Sequence, residues 1–377
     1  MTIGVVANSA WNIVNFRRNL IVSLIERNYS VYIIAPYEEE YKLIVESLGC
    51  FFVPIELDNK GTNPIKDIQF MRSLYNLYSN IKFDIVLHFT VKPNIYGSFA
   101  SYLASIPCVN NVTGLGTVFL HDNIKTNIAK YLYRIAFKIP KHIFFQNNDD
   151  RNLFFGERFI SQTNSVEVIP GSGIDLDYFK AEKVFRKNAV FTFLMVARLL
   201  YDKGTIEYVE AAKELKKNGL NVKFQILGHI ETNEGLGVSK EELQSWVNNS
   251  LIEYLGTTND VRPFINKADC VVLPSYREGT PRSLLEAASM KKPIIATNVP
   301  GCKEVVIEGY NGYLCEAKSG KSLADKMRKM LSLGNTELKE KGENGRKLVE
   351  AKFDQKIVSE AYLHQIRKIE AQKKLLK

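Results

Sequence analysis

Cysteine is sparse in this chain, and what there is shares no task. Five cysteines (Cys50, Cys108, Cys270, Cys302, Cys315) are scattered over 377 residues with no C-x-x-C spacing. That argues against a disulfide framework or a zinc site and fits a reducing compartment. No secretory leader is expected: Thr2 to Ala7 reads as a short apolar strand, not as a basic segment ahead of an apolar one. The span Pro93 to Leu120 carries no charge and has the length of a membrane helix. It is rich in Asn, Ser, Thr, Gly and Pro, however, and reads as a buried helix, a strand and a Gly-rich loop. No G-x-G-x-x-G follows the first strand, which disfavours a dinucleotide oxidoreductase. Repeats and low-complexity tracts are absent. Basic residues outnumber acidic ones, 50 to 41, for a formal charge of +9. No base-stacking or groove-reading motif accompanies that charge, so nucleic acid is not an expected partner.

The chain does hold enough apolar residue, 45%, for two ordinary cores, and its length predicts two domains. Strand and helix signals alternate throughout, which predicts α/β architecture with parallel sheets. Strands are expected at Ile3–Ala7, Val31–Ala35, Phe52–Ile55, Ile85–Phe89, Cys108–Val112, His142–Gln146 and Val166–Ile169. Helices are expected between them, among them Phe16–Arg27 and Ile65–Asn80. Further strands begin near Phe191, Val222, Ile252, Cys270, Ile294 and Tyr313. A Pro/Gly turn cluster, Pro170-Gly171-Ser172-Gly173, marks the seam. The expected organisation is a first domain over 1–169, a linker over 170–185, a second domain over 186–354 and a last helix over 355–377 crossing back to the first domain.

The most informative stretch is Glu278-Gly279-Thr280-Pro281-Arg282-Ser283-Leu284-Leu285-Glu286. It follows the apolar run Asp269 to Ser275. Thr280 reads as a helix N-cap and Pro281 as the first helical residue. A helix N-terminus after a Gly turn is an anion site, because backbone N–H groups and the helix dipole converge there. Glu286 falls roughly one and a half turns into that helix. Upstream, the strand Thr192 to Ala197 ends at Arg198. A loop with Lys203-Gly204 and a helix over Thr205–Lys217 follow.

Together these segments resemble the retaining glycosyltransferases of family 4, which have the GT-B fold of two Rossmann-like domains facing across a cleft. The first stretch is similar to the family's E-x7-E motif, and Arg198 with Lys203-Gly204 to its basic segment. Phe224 to Gly228, Ile252 to Val261, Pro293 to Glu304 and Asn311 to Leu314 also match. The resemblance implies a nucleotide-sugar donor bound as substrate, UDP before GDP, with no cofactor and no metal. Arg198 and Lys203 would hold the diphosphate. Glu278 and the amides of Gly279 and Thr280 would hold the sugar, and Glu286 the ribose. Pro281, Leu285, Gly228, Thr258 and Val261 complete the expected donor site. Asp175-Leu176-Asp177 spells the metal signature of a different glycosyltransferase fold, but on the linker, where metal is not expected.

The first half departs from the family. Asn8-Ser9-Ala10-Trp11-Asn12 stands where relatives have a Gly-Gly turn, although Phe16-Arg17 matches. Thr113-Gly114-Leu115-Gly116 stands where many carry a His; His88 and His121 are nearby candidates for catalysis, although a lone His is more often structural. The Gly-Leu-Gly piece reads equally as a plain turn or as a backbone surface against the acceptor. This segment and Lys92 to Gly97 resemble the subset that adds hexose or N-acetylhexosamine, N-acetylgalactosamine foremost, to a sugar on undecaprenyl diphosphate. That implies a lipid-linked saccharide acceptor and a peripheral place on the inner face of the bacterial cytoplasmic membrane. Ile124 to Phe145 interleaves Lys125, Lys130, Arg134, Lys138 and Lys141 with apolar residues. It reads either as an ordinary domain helix or as one suited to an anionic membrane surface. A non-catalytic nucleotide-sugar-binding subunit, an epimerase and a hydrolase remain alternatives, and the oligomeric state stays open.

Overall fold

The structure is a computed structural model that describes residues 1–59, 61, 63–114, 124–181, 189–230 and 236–375, with backbone alone for 124–126. The candidate His121, with Leu115 and Gly116, lies outside the described residues. The chain forms two compact units, Met1–Ser172 with Gln355–Lys377, and Gly173–Asp354.

In the first unit the elements run β1 (Thr2–Val6), α1 (Ala10–Ile25), β2 (Ser30–Ala35), α2 (Glu39–Ser47), β3 (Phe51–Pro54), α3 (Pro64–Ile81) and β4 (Ile85–Phe89). They continue with α4 (Ser98–Leu103), β5 (Cys108–Val112), α5 (Ile124–Ala136), β6 (His142–Phe145), α6 (Asn148–Gly156) and β7 (Val166–Val168). The strands pair in parallel in the order β3-β2-β1-β4-β5-β6-β7. The chain walks one way from β1 to β3 and the other way from β4 to β7. Right-handed crossovers therefore put α1 and α2 on one face and α3 to α6 on the other. The chain's last helix (355–375) packs on α1, where Asn19 Nδ2 donates to Ser359 Oγ at 2.8 Å.

Local chemistry explains where the helices begin. α1 starts at Ala10, six residues before the expected Phe16, because the Ser9 hydroxyl accepts from the Asn12 amide at 3.0 Å. α3 opens with Asn63 as cap and Pro64 at its first position, and ends at Lys82 in the left-handed region. The basic stretch Ile124 to Phe145 is not one helix. α5 stops at Ala136, and His142–Phe145 is a fully buried strand.

His88 sits in β4 with no exposure, its ring nitrogens 3.0 Å from Tyr78 OH and 2.9 Å from Asn110 Oδ1. Burial pulls its pKa down to about 4, against a partial lift from Asn110. It is a core group, not a surface base. The depressed value means the unfolded chain binds the proton first as pH falls. Stability is therefore full above about pH 6.5 and declines toward pH 4, by about 3 kcal/mol for this residue. His88→Gln is expected to flatten that acid-side decline in melts taken between pH 7 and 4. An unchanged pH slope would refute the assignment.

The second unit holds β8 (Phe191–Val196), α7 (Thr205–Lys217), β9 (Val222–Leu227), α8 (Lys240–Asn248), β10 (Glu253–Tyr254), α9 (Arg262–Lys267) and β11 (Cys270–Leu273). Then come α10 (Arg282–Ser289), β12 (Ile294–Thr297), α11 (Cys302–Val305), β13 (Gly312–Cys315), α12 (Gly320–Leu331) and α13 (Asn335–Lys352). Its parallel sheet has the order β10-β9-β8-β11-β12-β13. The direction of winding reverses between β8 and β11. Adjacent loops diverge at such a point and leave a crevice at the carboxyl ends of the strands.

Candidate functional site

The crevice between β8 and β11 gathers the charged residues singled out in the sequence. Lys203 ends a single 3-10 turn, Tyr201–Lys203, after β8, and Glu278 lies on the loop after β11. Lys203 Nζ reaches Glu278 Oε1 at 2.6 Å, with both side chains mostly buried. Burial works against charge on Lys203, but the Glu278 carboxylate outweighs it and the lysine pKa is raised. Arg198 also acts on Lys203, in the opposite sense, so a second cation stands in electrostatic reach.

Backbone stitching sets this geometry. The Tyr276 amide donates to the Asp202 carbonyl at 2.8 Å, and Ser275 Oγ donates to the same oxygen at 3.1 Å. The Glu278 amide donates to Pro300 O at 3.1 Å, and the Thr297 hydroxyl donates to Ser275 O. Two glycines permit the close approach. Gly204 has φ +75°, and a Cβ there would meet Pro274 O at 2.1 Å. Gly301 has φ +83°, and a Cβ there would meet the carbonyl oxygens of Glu278 and Gly279 at 2.5 and 2.6 Å. Asp202, Ser275, Tyr276, Thr297 and Pro300 went unassigned in the sequence; their contribution is mostly through backbone atoms, which carry no side-chain signal.

α10 begins one residue later than expected. Pro281 has ψ 115°, so it is the N-cap and Arg282 the first helical residue; Thr280 stands outside the helix. No side chain caps this end. The Pro281 carbonyl instead accepts from the Leu284 and Leu285 amides at 3.2 and 3.3 Å. Leu285 has no exposure and packs in the core below, so its side chain holds the helix down and does not face the crevice. Glu286 is 8% exposed and paired with Arg282 one turn earlier at 3.0 Å. Burial raises its pKa against the pull of Arg282, and Asp260 adds to the rise. That links the loop of Thr258 and Val261 to Glu286. The Thr258 hydroxyl accepts from the Asp260 amide at 3.0 Å, and Val261 caps α9. Gly228, at φ +157°, closes the β9 side, where a Cβ would meet Ala197 O at 1.8 Å.

Asp175 Oδ1 accepts from the Asp177 and Tyr178 amides at 3.0 and 2.9 Å, so this carboxylate forms a turn. Among the described residues no group of three or more His, Cys, Asp and Glu side chains is placed to hold a metal ion. All five cysteines are free and buried.

A second polar cluster in the first unit went unread in the sequence. Thr90, just past β4, has φ +74°, a rare conformation for a β-branched residue. Thr90 Oγ1, Asn94 Oδ1 and Asn111 Oδ1 are buried without a hydrogen-bond partner. Asn94 is fixed by donating to Asn111 O at 2.8 Å, and Asn111 donates to the Tyr362 hydroxyl. Arg17 lies 4.5 Å over the Phe89 ring beside them. Unmatched acceptor oxygens call for hydroxyl or N–H donors. The one sequence signal was two adjacent Asn, 110 and 111, in an otherwise apolar strand.

Two parallel-stranded α/β units, with six- and seven-stranded sheets, are the GT-B fold, and a Rickettsia africae glycosyltransferase structure superposes on the chain with a TM-score of 0.80 over 98% of each chain at 20% identity. The family described as glycosyl transferases group 1 matches residues 179–348, and the one described as glycosyl transferase 4-like matches residues 3–147. A UDP-Gal:alpha-D-GlcNAc-diphosphoundecaprenol alpha-1,3-galactosyltransferase of Escherichia coli is 31% identical over 72% of this chain and 72% of its own. The N,N'-diacetylbacillosaminyl-diphospho-undecaprenol alpha-1,3-N-acetylgalactosaminyltransferase of Campylobacter jejuni is 29% identical over 88% of this chain and 89% of its own. An Anabaena protein solved with UDP and glucose superposes with a TM-score of 0.80 over 98% of this chain and 100% of its own, at 17% identity. This chain belongs to the group 1 glycosyltransferases.

Proposed function

We propose that this protein transfers a sugar, N-acetylgalactosamine foremost, from a UDP-sugar to a saccharide on undecaprenyl diphosphate, with retention at the anomeric carbon and without a metal. The product would serve surface-polysaccharide or glycan assembly at the inner face of the cytoplasmic membrane. The observation that carries the reading is the Lys203–Glu278 pair at 2.6 Å, with the charge of Arg198 beside it, at the crevice of a group 1 glycosyltransferase. The names of the Escherichia coli and Campylobacter jejuni relatives support the acceptor class.

In this reading Arg198 and Lys203 stabilise the charge that grows on the departing diphosphate. Glu278 and the amides of Gly279 and Thr280 orient the sugar. Glu286, steadied by Arg282, takes the ribose, and the loop of Thr258 and Val261 with Gly228 lies toward the base. The acceptor hydroxyl attacks from the face the diphosphate leaves, passing its proton to a phosphate oxygen, which gives an α-linkage. Glu278 as a covalent nucleophile is the weaker alternative, because its carboxylate is engaged by Lys203.

The test is a transfer assay: pure protein, undecaprenyl-diphosphate HexNAc acceptors, a panel of UDP- and GDP-sugars, EDTA throughout, and lipid-linked disaccharide detected by mass. Product with one UDP-HexNAc is the expected result. UDP-sugar binding with no product from any pair would favour a non-catalytic binding subunit. Glu278→Gln keeps the shape and hydrogen bonding of the side chain. Most of the activity is expected to survive it, whereas a nucleophilic role demands near-complete loss.

A further inference from the structure

Tyr276 grips the turn that carries Lys203 from both sides. Its amide donates to the Asp202 carbonyl at 2.8 Å, just before Lys203. Its hydroxyl donates to Glu207 Oε1 at 2.6 Å, just past it. Glu207 stands in the first turn of α7 and is only 7% exposed. Its second oxygen, Oε2, is buried with no hydrogen-bond partner. A helix N-terminus favours an acid but not its burial. Burying a carboxylate with so few partners destabilises the fold, so α7 by itself gives no reason for it. Burial does put the carboxylate where the Tyr276 hydroxyl reaches it.

Desolvation, then the hydrogen bond to Glu207, then the charges of Glu207, Asp202 and Glu210 push the Tyr276 hydroxyl pKa well above its ordinary value. The hydroxyl therefore keeps its proton and acts as the donor. Lys318 Nζ lies 5.2 Å from the ring centroid and steadies the ring. Glu278 is tied from another direction. Its amide donates to Pro300 O at 3.1 Å, and the Gly301 approach fixes its carbonyl. The Lys203 turn is closed on itself, with the Lys203 amide on Leu200 O at 3.1 Å and the Gly204 amide on Tyr201 O at 3.0 Å. Tyr276, with the Ser275 hydroxyl, joins the two pieces.

We propose that Tyr276 is a positioning residue: anchored on Glu207, it sets where Lys203 stands against Glu278. It acts through Lys203 and takes no part in the chemistry itself. The proposal rests on the sugar transfer proposed above and deepens the account of its donor site. Amide exchange and the test of transfer separate the two.

The experiment is single-turnover transfer, with UDP-sugar affinity by calorimetry and a melting curve for every variant. Tyr276→Phe removes the hydroxyl alone. Because the Asp202 tie remains, turnover is expected to fall about tenfold, less than a full ångström of displacement costs, with affinity within about threefold. Glu207→Gln keeps an acceptor oxygen and is expected to stay within about threefold of the native rate. In a Lys203→Ala background Tyr276→Phe is expected to cost less than about threefold, because residues that act as a unit do not add. Tyr276→Phe also strands a buried carboxylate and lowers the melting temperature. Adding Glu207→Met removes both partners, so the melt recovers while the loss of turnover stays. A fold effect alone predicts that turnover recovers with the melt. Native turnover in Tyr276→Phe, a tenfold loss that persists without Lys203, or turnover restored in the double variant would each overturn the proposal. Amide exchange needs no substrate. Tyr276→Phe is expected to speed exchange at the Tyr276, Lys203 and Gly204 amides and to leave the Glu278 amide unchanged. That pattern in a protein that transfers no sugar would sink the transfer reading alone. Unchanged exchange at all four amides would sink this one.

Discussion

Replacing Lys203 with alanine is expected to lower the turnover number by about 10²- to 10³-fold, the usual cost of removing one preorganised charge from a transition state. In the proposed reaction the leaving diphosphate gains charge as the glycosidic bond breaks, and Lys203 is held at the loops after β8 and β11 by its 2.6 Å contact with Glu278. In the proposed mechanism the effect falls mainly on turnover, because ground-state binding would also draw on Arg198 and Glu286. Lys203→Arg keeps the charge but cannot hold the same position on a mostly buried site, so it should recover only part of the rate. Single-turnover transfer, with UDP-sugar affinity measured separately, distinguishes the two effects. A Lys203→Ala enzyme within tenfold of the native rate would remove this residue from the chemistry.

Gly301→Ala is expected to cost about a hundredfold in turnover although no ligand contact is assigned to Gly301. Its Cβ would lie 2.5 Å from Glu278 O and 2.6 Å from Gly279 O, at a φ of +83°. Those neighbours are backbone atoms, so relief requires moving the loop that carries Glu278. A displacement near 1 Å at a reacting centre commonly costs two orders of magnitude. An Ala at positive φ also costs stability, about 1 kcal/mol or more, so the melting temperature should fall by a few degrees and turnover is compared below that melt. Native turnover in Gly301→Ala would mean that the loop is not held by this approach.

Much of the site was legible in the sequence because its side chains are charged and stand next to strong strand and helix signals. Glu278, Glu286, Arg198 and Lys203 each follow an apolar strand or open a helix, and the structure brings them to one crevice or its border. Errors fell where one residue decides. The α10 start moved because Pro281 keeps an extended ψ and caps by its carbonyl. The α1 start moved because Ser9 supplies a cap that apolar periodicity cannot register. His88 read as a structural residue before a catalytic one, and the structure agrees with the first reading: β4 is buried on both faces and the imidazole meets Tyr78 and Asn110.

The sequence by itself determined the alternation of strands and helices, the fold class and which charged residues stand at the ends of the second unit's strands. These follow from local patterns: apolar runs, turn residues and caps act over a few positions. Tertiary structure alone decided which of those residues meet. Lys203 and Glu278 are 75 positions apart and are joined through the Asp202 carbonyl and the Gly301 approach, neither of which has a side-chain signature. The same holds for the unmatched oxygens of Thr90, Asn94 and Asn111. Parallel sheets make their pairings between distant segments, so the register of strands, and not the local sequence, sets those neighbours.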